Sequence, residues 1–172
     1  MEKKISIEIG EGLVLVDDGF DSYWGTIDLL INYDKESISF SEFDNEGARS
    51  CIAPTDFSSG DYTDASVYTF NKSEFYWVIN NVIDIVKEHK EQKKKSVISK
   101  CAPVTVDENK EKWQLDLDMA VSEIQDEWGL YITRHHFRGL SQHYIMGRVF
   151  IAEDYLNKLK DVMFKIKKEI KN

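Results

Sequence analysis

The sequence predicts one α+β domain spanning 1–172: an N-terminal antiparallel β-meander, then three helices and a C-terminal β-hairpin, packed in two layers. Three observations predict it. Residues 1–70 alternate apolar and polar positions between turn residues, as half-buried strands do, and form the strand-rich part. Residues 71–172 carry apolar side chains at helical spacing in three stretches and form the helix-rich part, with one hairpin. A length of 172 residues fits one domain of roughly 100 to 200.

Residues 3–9 alternate strictly through Ile5, Ile7 and Ile9, and Gly10-Glu11-Gly12 interrupts them before the apolar run 13–16. A hairpin or a bulged pair of strands is expected there. Residues 24–33 place Ile27, Leu29, Ile31 and Tyr33 at period two, Asp34-Lys35 supplies a turn, and 37–43 continues with Ile38 and Phe40 inward. After a turn at 44–47, residues 48–53 read as a short strand ended by Pro54. Residues 55–65 read as an acidic loop and 66–70 as a strand.

Asn71 with Glu74 three residues later has the spacing of a capping pair, and Phe75, Val78, Ile79, Val82 and Val86 follow at helical period. A helix over 72 to about 90 is expected. The lysine-rich end that runs to Lys95 suits a helix C-terminus and solvent, and is assigned no binding role. Residues 96–106 read as a linker or a short strand broken by Pro103. From Asp107 two periods compete: Trp113, Leu115, Leu117, Met119 and Val121 suit a strand, whereas Trp113, Leu117, Ala120, Val121, Ile124 and Trp128 suit a helix. Helix-favouring composition, a cap at Asp107 and Gly129 at a left-handed C′ position decide for a helix over 108–128. Strands at 130–137 and 144–151 form a hairpin, and a last helix over 152–170 presents Tyr155, Leu156, Leu159, Val162, Met163, Ile166 and Ile170. The strand-helix unit 67–87 also matches 147–167 at one constant offset, as a duplication would.

Composition narrows the class. Hydrophobic residues make up 42% and charged residues 31%, which excludes a disordered chain. The longest apolar run, 13–16, is far short of the roughly 20 residues of a membrane-spanning helix, and the N-terminus has no signal-peptide pattern. Cys51 and Cys101 lack the spacing of a disulfide framework or a zinc site. A cytoplasmic location, no membrane contact, no cofactor and no metal are therefore expected.

Charge is unevenly placed. Residues 1–70 hold 15 Asp or Glu against 4 Lys or Arg, a net −11, while 71–172 hold 16 against 18, a net +2. The acids cluster as Asp17, Asp18 and Asp21; Glu42, Asp44 and Glu46; and Asp56, Asp61 and Asp64. Phe20, Tyr23, Trp24, Phe43, Phe57 and Tyr62 are interleaved with them. Carboxylates beside aromatic rings suit docking on a basic protein surface, because opposite potentials speed encounter and rings anchor it. Asp17, Asp18, Asp21, Trp24, Glu42, Asp44, Glu46, Asp61 and Asp64 are accordingly the candidate partner-binding residues, although acidic loops also arise simply as solvated surface. The same acids repel nucleic acid, so direct nucleic-acid binding is not expected.

No phosphate loop, nucleophile elbow, HExxH pair or calcium loop occurs, so no motif points to an enzyme. One cluster is chemically suggestive. Arg134, His135, His136, Arg138, His143 and Arg148 hold three of the four arginines and three of the four histidines. Strand alternation sends Arg134, His136 and Arg138 to one face and His135 and Phe137 to the other. Arg134, His136, Arg138, His143 and Arg148 are therefore candidate anion-binding residues, with a histidine available for proton transfer. The plainer reading is that they pair with carboxylates of an acidic protein. A metal site from His135, His136 and His143 is disfavoured, since adjacent strand residues point apart. Asp116 and Asp118 would share a face on a strand, but on the expected helix they are solvated charges.

The leading functional expectation is an interaction protein that inhibits a basic toxin, nuclease or other nucleic-acid-binding protein, as immunity and defence or counter-defence proteins do. The alternative is a small anionic-ligand binder or an enzyme using the 134–148 cluster.

Overall fold

The computed structural model describes residues 5–17, 22–33, 38–42, 66–70, 72–106, 108–122, 126–138 and 142–170. In chain order they form β1 (Ile5–Asp17), β2 (Ser22–Tyr33), β3 (Ile38–Glu42), β4 (Ser66–Phe70), α1 (Lys72–Glu91), β5 (Ile98–Cys101), β6 (Thr105–Val106), β7 (Lys112–Val121), β8 (Trp128–Arg138) and β9 (Gln142–Ala152). A single 3-10 turn, Glu153–Tyr155, then leads into α2 (Leu156–Ile170). All strand pairs are antiparallel, and the nine strands make one sheet in the order β4-β3-β2-β1-β9-β8-β7-β5, with β6 also on β7.

The expected succession of sheet, three helices and terminal hairpin is overturned. Among the described residues there are two α-helices, α1 ahead of strands β5–β9 and α2 after them. The segment read as a helix over 108–128 contains strand β7 instead. Leu115, Leu117 and Met119 are fully buried at alternate positions, while Asp116 and Asp118 between them turn the other way and are only half-buried. Burying each such apolar side chain stabilises by about 1.5–3 kcal/mol, against a few tenths per residue of helix propensity, so tertiary burial decides.

Gly129, read as a helix-ending residue, lies inside β8. A Cβ there would stand 2.4 Å from Phe150 Cζ and 2.5 Å from the Ile151 carbonyl oxygen. The glycine lets the Phe150 ring lie across the strand.

The strands expected at 130–137 and 144–151 pair as β8 and β9, but in the interior of the sheet, since β9 also pairs with β1. Gly10 does not turn the chain. β1 runs through it with a register shift between Glu8 and Gly10, so the interruption is a bulge. The strand expected at 48–53 and the cap at Asn71 fall outside the described residues. As for the internal similarity, α1 follows edge strand β4 and α2 follows interior strand β9.

Both helices cover one face of the sheet. Phe75, Val78, Ile79, Val82, Ile85 and Val86 of α1 and Leu159, Met163 and Ile166 of α2 are buried with Leu115, Leu117, Met119, Leu130, Ile132, Val149 and Ile151. The end of α1 is tied to the start of the last helical segment: His89 Nε2 lies 3.2 Å and Lys95 Nζ 2.5 Å from Glu153 Oε1. Among the described residues, no helix is long and apolar enough to cross a membrane.

Candidate functional site

The acidic candidates are bounded by strands of the meander, and two groups of polar residues stand on the two sides of β8.

Asp17 is the last residue of β1 and pairs with Ser22, and Trp24 pairs with Leu15. β3 ends at Glu42, opposite Leu29, and β4 begins at Ser66, opposite Ser41. The antiparallel register thus makes the strand ends at Asp17, Ser22, Glu42 and Ser66 face the same way along the meander. Asp18, Asp21, Asp44, Glu46, Asp56, Asp61 and Asp64 belong to those connections and lie outside the described residues. Pairing of β1 with β9 ends at Val14, and pairing of β2 with β3 begins only at Leu29. Beyond those pairs, β1 and β2 continue together to Asp17 and Ser22 as a two-stranded ribbon among the described residues.

Alternation along β8 sends Arg134 and His136 to the helix-covered side. Arg134 Nη2 donates to Glu74 Oε1 of α1 at 2.7 Å, and both side chains are buried. His136 stacks on Trp113 with ring centroids 3.9 Å apart, and its Nε2 lies 2.6 Å from Glu111 Oε2. A buried guanidinium needs such a partner, because desolvation without one is costly.

The other side of β8 carries a longer chain of contacts. His135 Nε2 lies 2.7 Å from Asp116 Oδ2 of β7, and His135 Nδ1 lies 2.7 Å from His143 Nε2 of β9. With His135 neutral, its Nε2–H donates to Asp116 and its Nδ1 accepts from His143. His143 also stacks on Phe137, with centroids 4.7 Å apart. A bulge builds this contact. Arg134 pairs with Gly147 but His135 pairs with Ile145, so Met146 is the extra residue. The inserted residue reverses the alternation of β9, bringing odd-numbered His143 to the same side as even-numbered Arg148.

Arg148 places its guanidinium 4.5 Å from the centroid of the Tyr131 ring. Thr133 lies between Asp116 and Arg148, paired with both. On β5, Cys101 is the cross-strand partner of Asp116. Its thiol is pushed above the ordinary value by a hydrogen bond to Asp116, by burial and by the charges of Asp116 and Asp118. A thiol so placed resists ionisation and makes a poor nucleophile.

The five candidate anion-binding residues are thus divided. Arg134 and His136 lie with Glu74 and Glu111 on the helix side, whereas His143 and Arg148 lie with His135 on the far side. Arg138 ends β8 opposite Gln142. Thr133 was not singled out by sequence reasoning, and Asp116, read as a solvated charge on a helix, lies instead on strand β7 beside Cys101. The available signal was the strict alternation of Leu115, Leu117 and Met119, which places Asp116 on the opposite face. Among the described residues no group of three or more His, Cys, Asp or Glu is gathered as for a metal ion.

Compared with known proteins, the chain matches no family model, no curated protein and no solved structure.

Proposed function

We propose that this chain is a cytoplasmic interaction protein that covers a basic surface of a toxin, nuclease or other nucleic-acid-binding effector, in the manner of an immunity or defence inhibitor. The observation that carries the reading is the placement of charge. The excess acids of residues 1–70 cluster in connections whose strand ends, at Asp17, Ser22, Glu42 and Ser66, point the same way. Of the basic groups of the second part, Arg134 is buried on Glu74, His136 meets Glu111 and Lys95 pairs with Glu153 at the surface. A ribbon ending at Asp17, with Tyr23 and Trp24 on its second strand, has the length and chemistry to enter a basic groove.

The test is capture of partners from the native host's lysate by the full chain at low and high salt, followed by association kinetics on the purified partner. The expected result is one basic protein, bound faster at low salt. Asp17→Asn, Asp18→Asn and Asp21→Asn together, or Glu42→Gln, Asp44→Asn and Glu46→Gln together, should slow association with little change in dissociation. Unchanged association by both triple variants would refute the acidic-surface reading.

A further inference from the structure

Strand alternation keeps His136 apart from His135, but the bulge in β9 brings His143 to the side of β8 that His135 occupies. The two rings meet nitrogen to nitrogen, with His135 Nδ1 2.7 Å from His143 Nε2. Both are open to solvent: the His135 side chain is 17% exposed, and His143 is an exposed residue. Each ring is also held from behind. His135 Nε2 lies 2.7 Å from Asp116 Oδ2, and the His143 ring stacks on Phe137 with 14° between planes. An Nε2–H given to a carboxylate fixes the tautomer that directs the Nδ1 lone pair of His135 at His143, and it makes that lone pair a stronger donor.

We infer that His135 Nδ1 and His143 Nε2 bind a divalent metal ion of the zinc class, with Asp116 as the positioning carboxylate behind His135. The ion takes the place of the proton shared across the two nitrogens. For this, His143 carries its ring proton on Nδ1 instead of Nε2, exchanged through solvent, so both facing nitrogens offer lone pairs and both rings stay neutral. Zinc–nitrogen bonds of about 2.0–2.1 Å at a tetrahedral ion set the two nitrogens roughly 3.3 Å apart. The pair opens by about 0.6 Å to reach that spacing, a movement that the exposed His143 side chain supplies. Imidazole donors select such an ion over magnesium or calcium, which favour oxygen. Among the described residues no third side chain completes the set, so water fills the other positions and the site is an exchangeable one. The inference is independent of the acidic surface, because it uses different residues.

Titration of the full chain with zinc, followed by calorimetry and by the ring-nitrogen NMR shifts of its histidines, tests it. His135 Nδ1 and His143 Nε2 should shift together and saturate at one ion per chain, while His89 and His136 stay unmoved. Magnesium should move none of them. His143→Gln keeps an amide N–H for His135 Nδ1 but removes the imidazole lone pair, and should weaken zinc binding about tenfold or more with the unfolding temperature unchanged. Asp116→Asn should weaken binding about tenfold and, without zinc, should alter the tautomer balance that the His135 ring shifts report. The assignment is overturned if zinc leaves His135 and His143 unshifted, if magnesium shifts them equally, or if His143→Gln binds zinc as the parent does. Unchanged affinity and unchanged His135 shifts in Asp116→Asn would overturn the positioning role. The shifts of the parent chain decide the ligands even if a variant fails to fold.

Discussion

Arg134 and His136 on the helix side of β8 and Thr133 and His135 on the far side are neighbours in sequence, yet their surroundings differ in kind. On the helix side of β8 the buried Arg134 and His136 meet the carboxylates of Glu74 and Glu111, and the pairs sit beside a continuous apolar core. On the far side the apolar cluster is small and polar contacts run from strand to strand. There Thr133 Oγ1 and Asp116 Oδ1 have no hydrogen-bond partner. Closed pairs of the first kind hold a helix to a sheet. Unpartnered buried atoms of the second kind are kept at a cost in stability.

The comparison can be broken most sharply at Glu74. Glu74→Ala removes the carboxylate that the buried Arg134 guanidinium meets and should destabilise by about 3–5 kcal/mol, measured by urea unfolding. Replacing both residues by apolar ones of similar volume should restore much of the loss. A small effect for Glu74→Ala would mean that the helix-side pair is not structural.

Gly129→Ala is next in size. Its Cβ would overlap both the Phe150 ring and the Ile151 backbone carbonyl, so a side-chain rotation alone cannot relieve it. A loss of about 1–3 kcal/mol is expected from the same unfolding measurement. No loss would show that the far-side apolar cluster has room to spare.

A smaller effect is expected in acid. The hydrogen bond from Lys95, assisted by His89 and opposed by burial, holds the Glu153 carboxyl below its ordinary value of 4.5. Stability from a lowered carboxyl is fully present above that ordinary value and is lost as pH falls through the folded one. Lys95→Ala should therefore be less stable than the parent at neutral pH, and the gap should close in acid. Because Glu153 is well exposed, screening keeps the gap below about 1 kcal/mol. A gap that stays constant with pH would remove the ion pair from the account.

The smallest effect is a rate rather than a stability. With its thiol raised by Asp116, Cys101 should alkylate slowly at neutral pH although the residue is exposed. Asp116→Asn should move the pH midpoint of alkylation downward. An unmoved midpoint would separate Cys101 from the far-side contacts.

By itself the sequence determined the elements whose signals are local. Helix α1 and most of α2 follow from apolar residues at helical spacing, which requires a stripe to be buried whatever covers it. Strands β2, β3, β4, β8 and β9 follow from alternation and turn residues in the same way. Tertiary structure decided the rest. Residues 112–121 carry a helix-favouring composition over a strand-like alternation, and burial of Leu115, Leu117 and Met119 under the helices settles the contest. Gly129 belongs to a strand because Phe150, a neighbour only through the β8–β9 register, needs the space above it.

The candidate site divides in the same way. Alternation correctly separated His135 from Arg134 and His136, since period two is a property of the strand itself. The meeting of His135 with His143 depends on one extra residue in β9, and that of Asp116 with Thr133 and Cys101 on the register of three strands. Those pairings join positions 8 to 17 residues apart, and no local pattern sets them. They are fixed only when the sheet closes its hydrogen bonds and the core selects which face each strand turns inward.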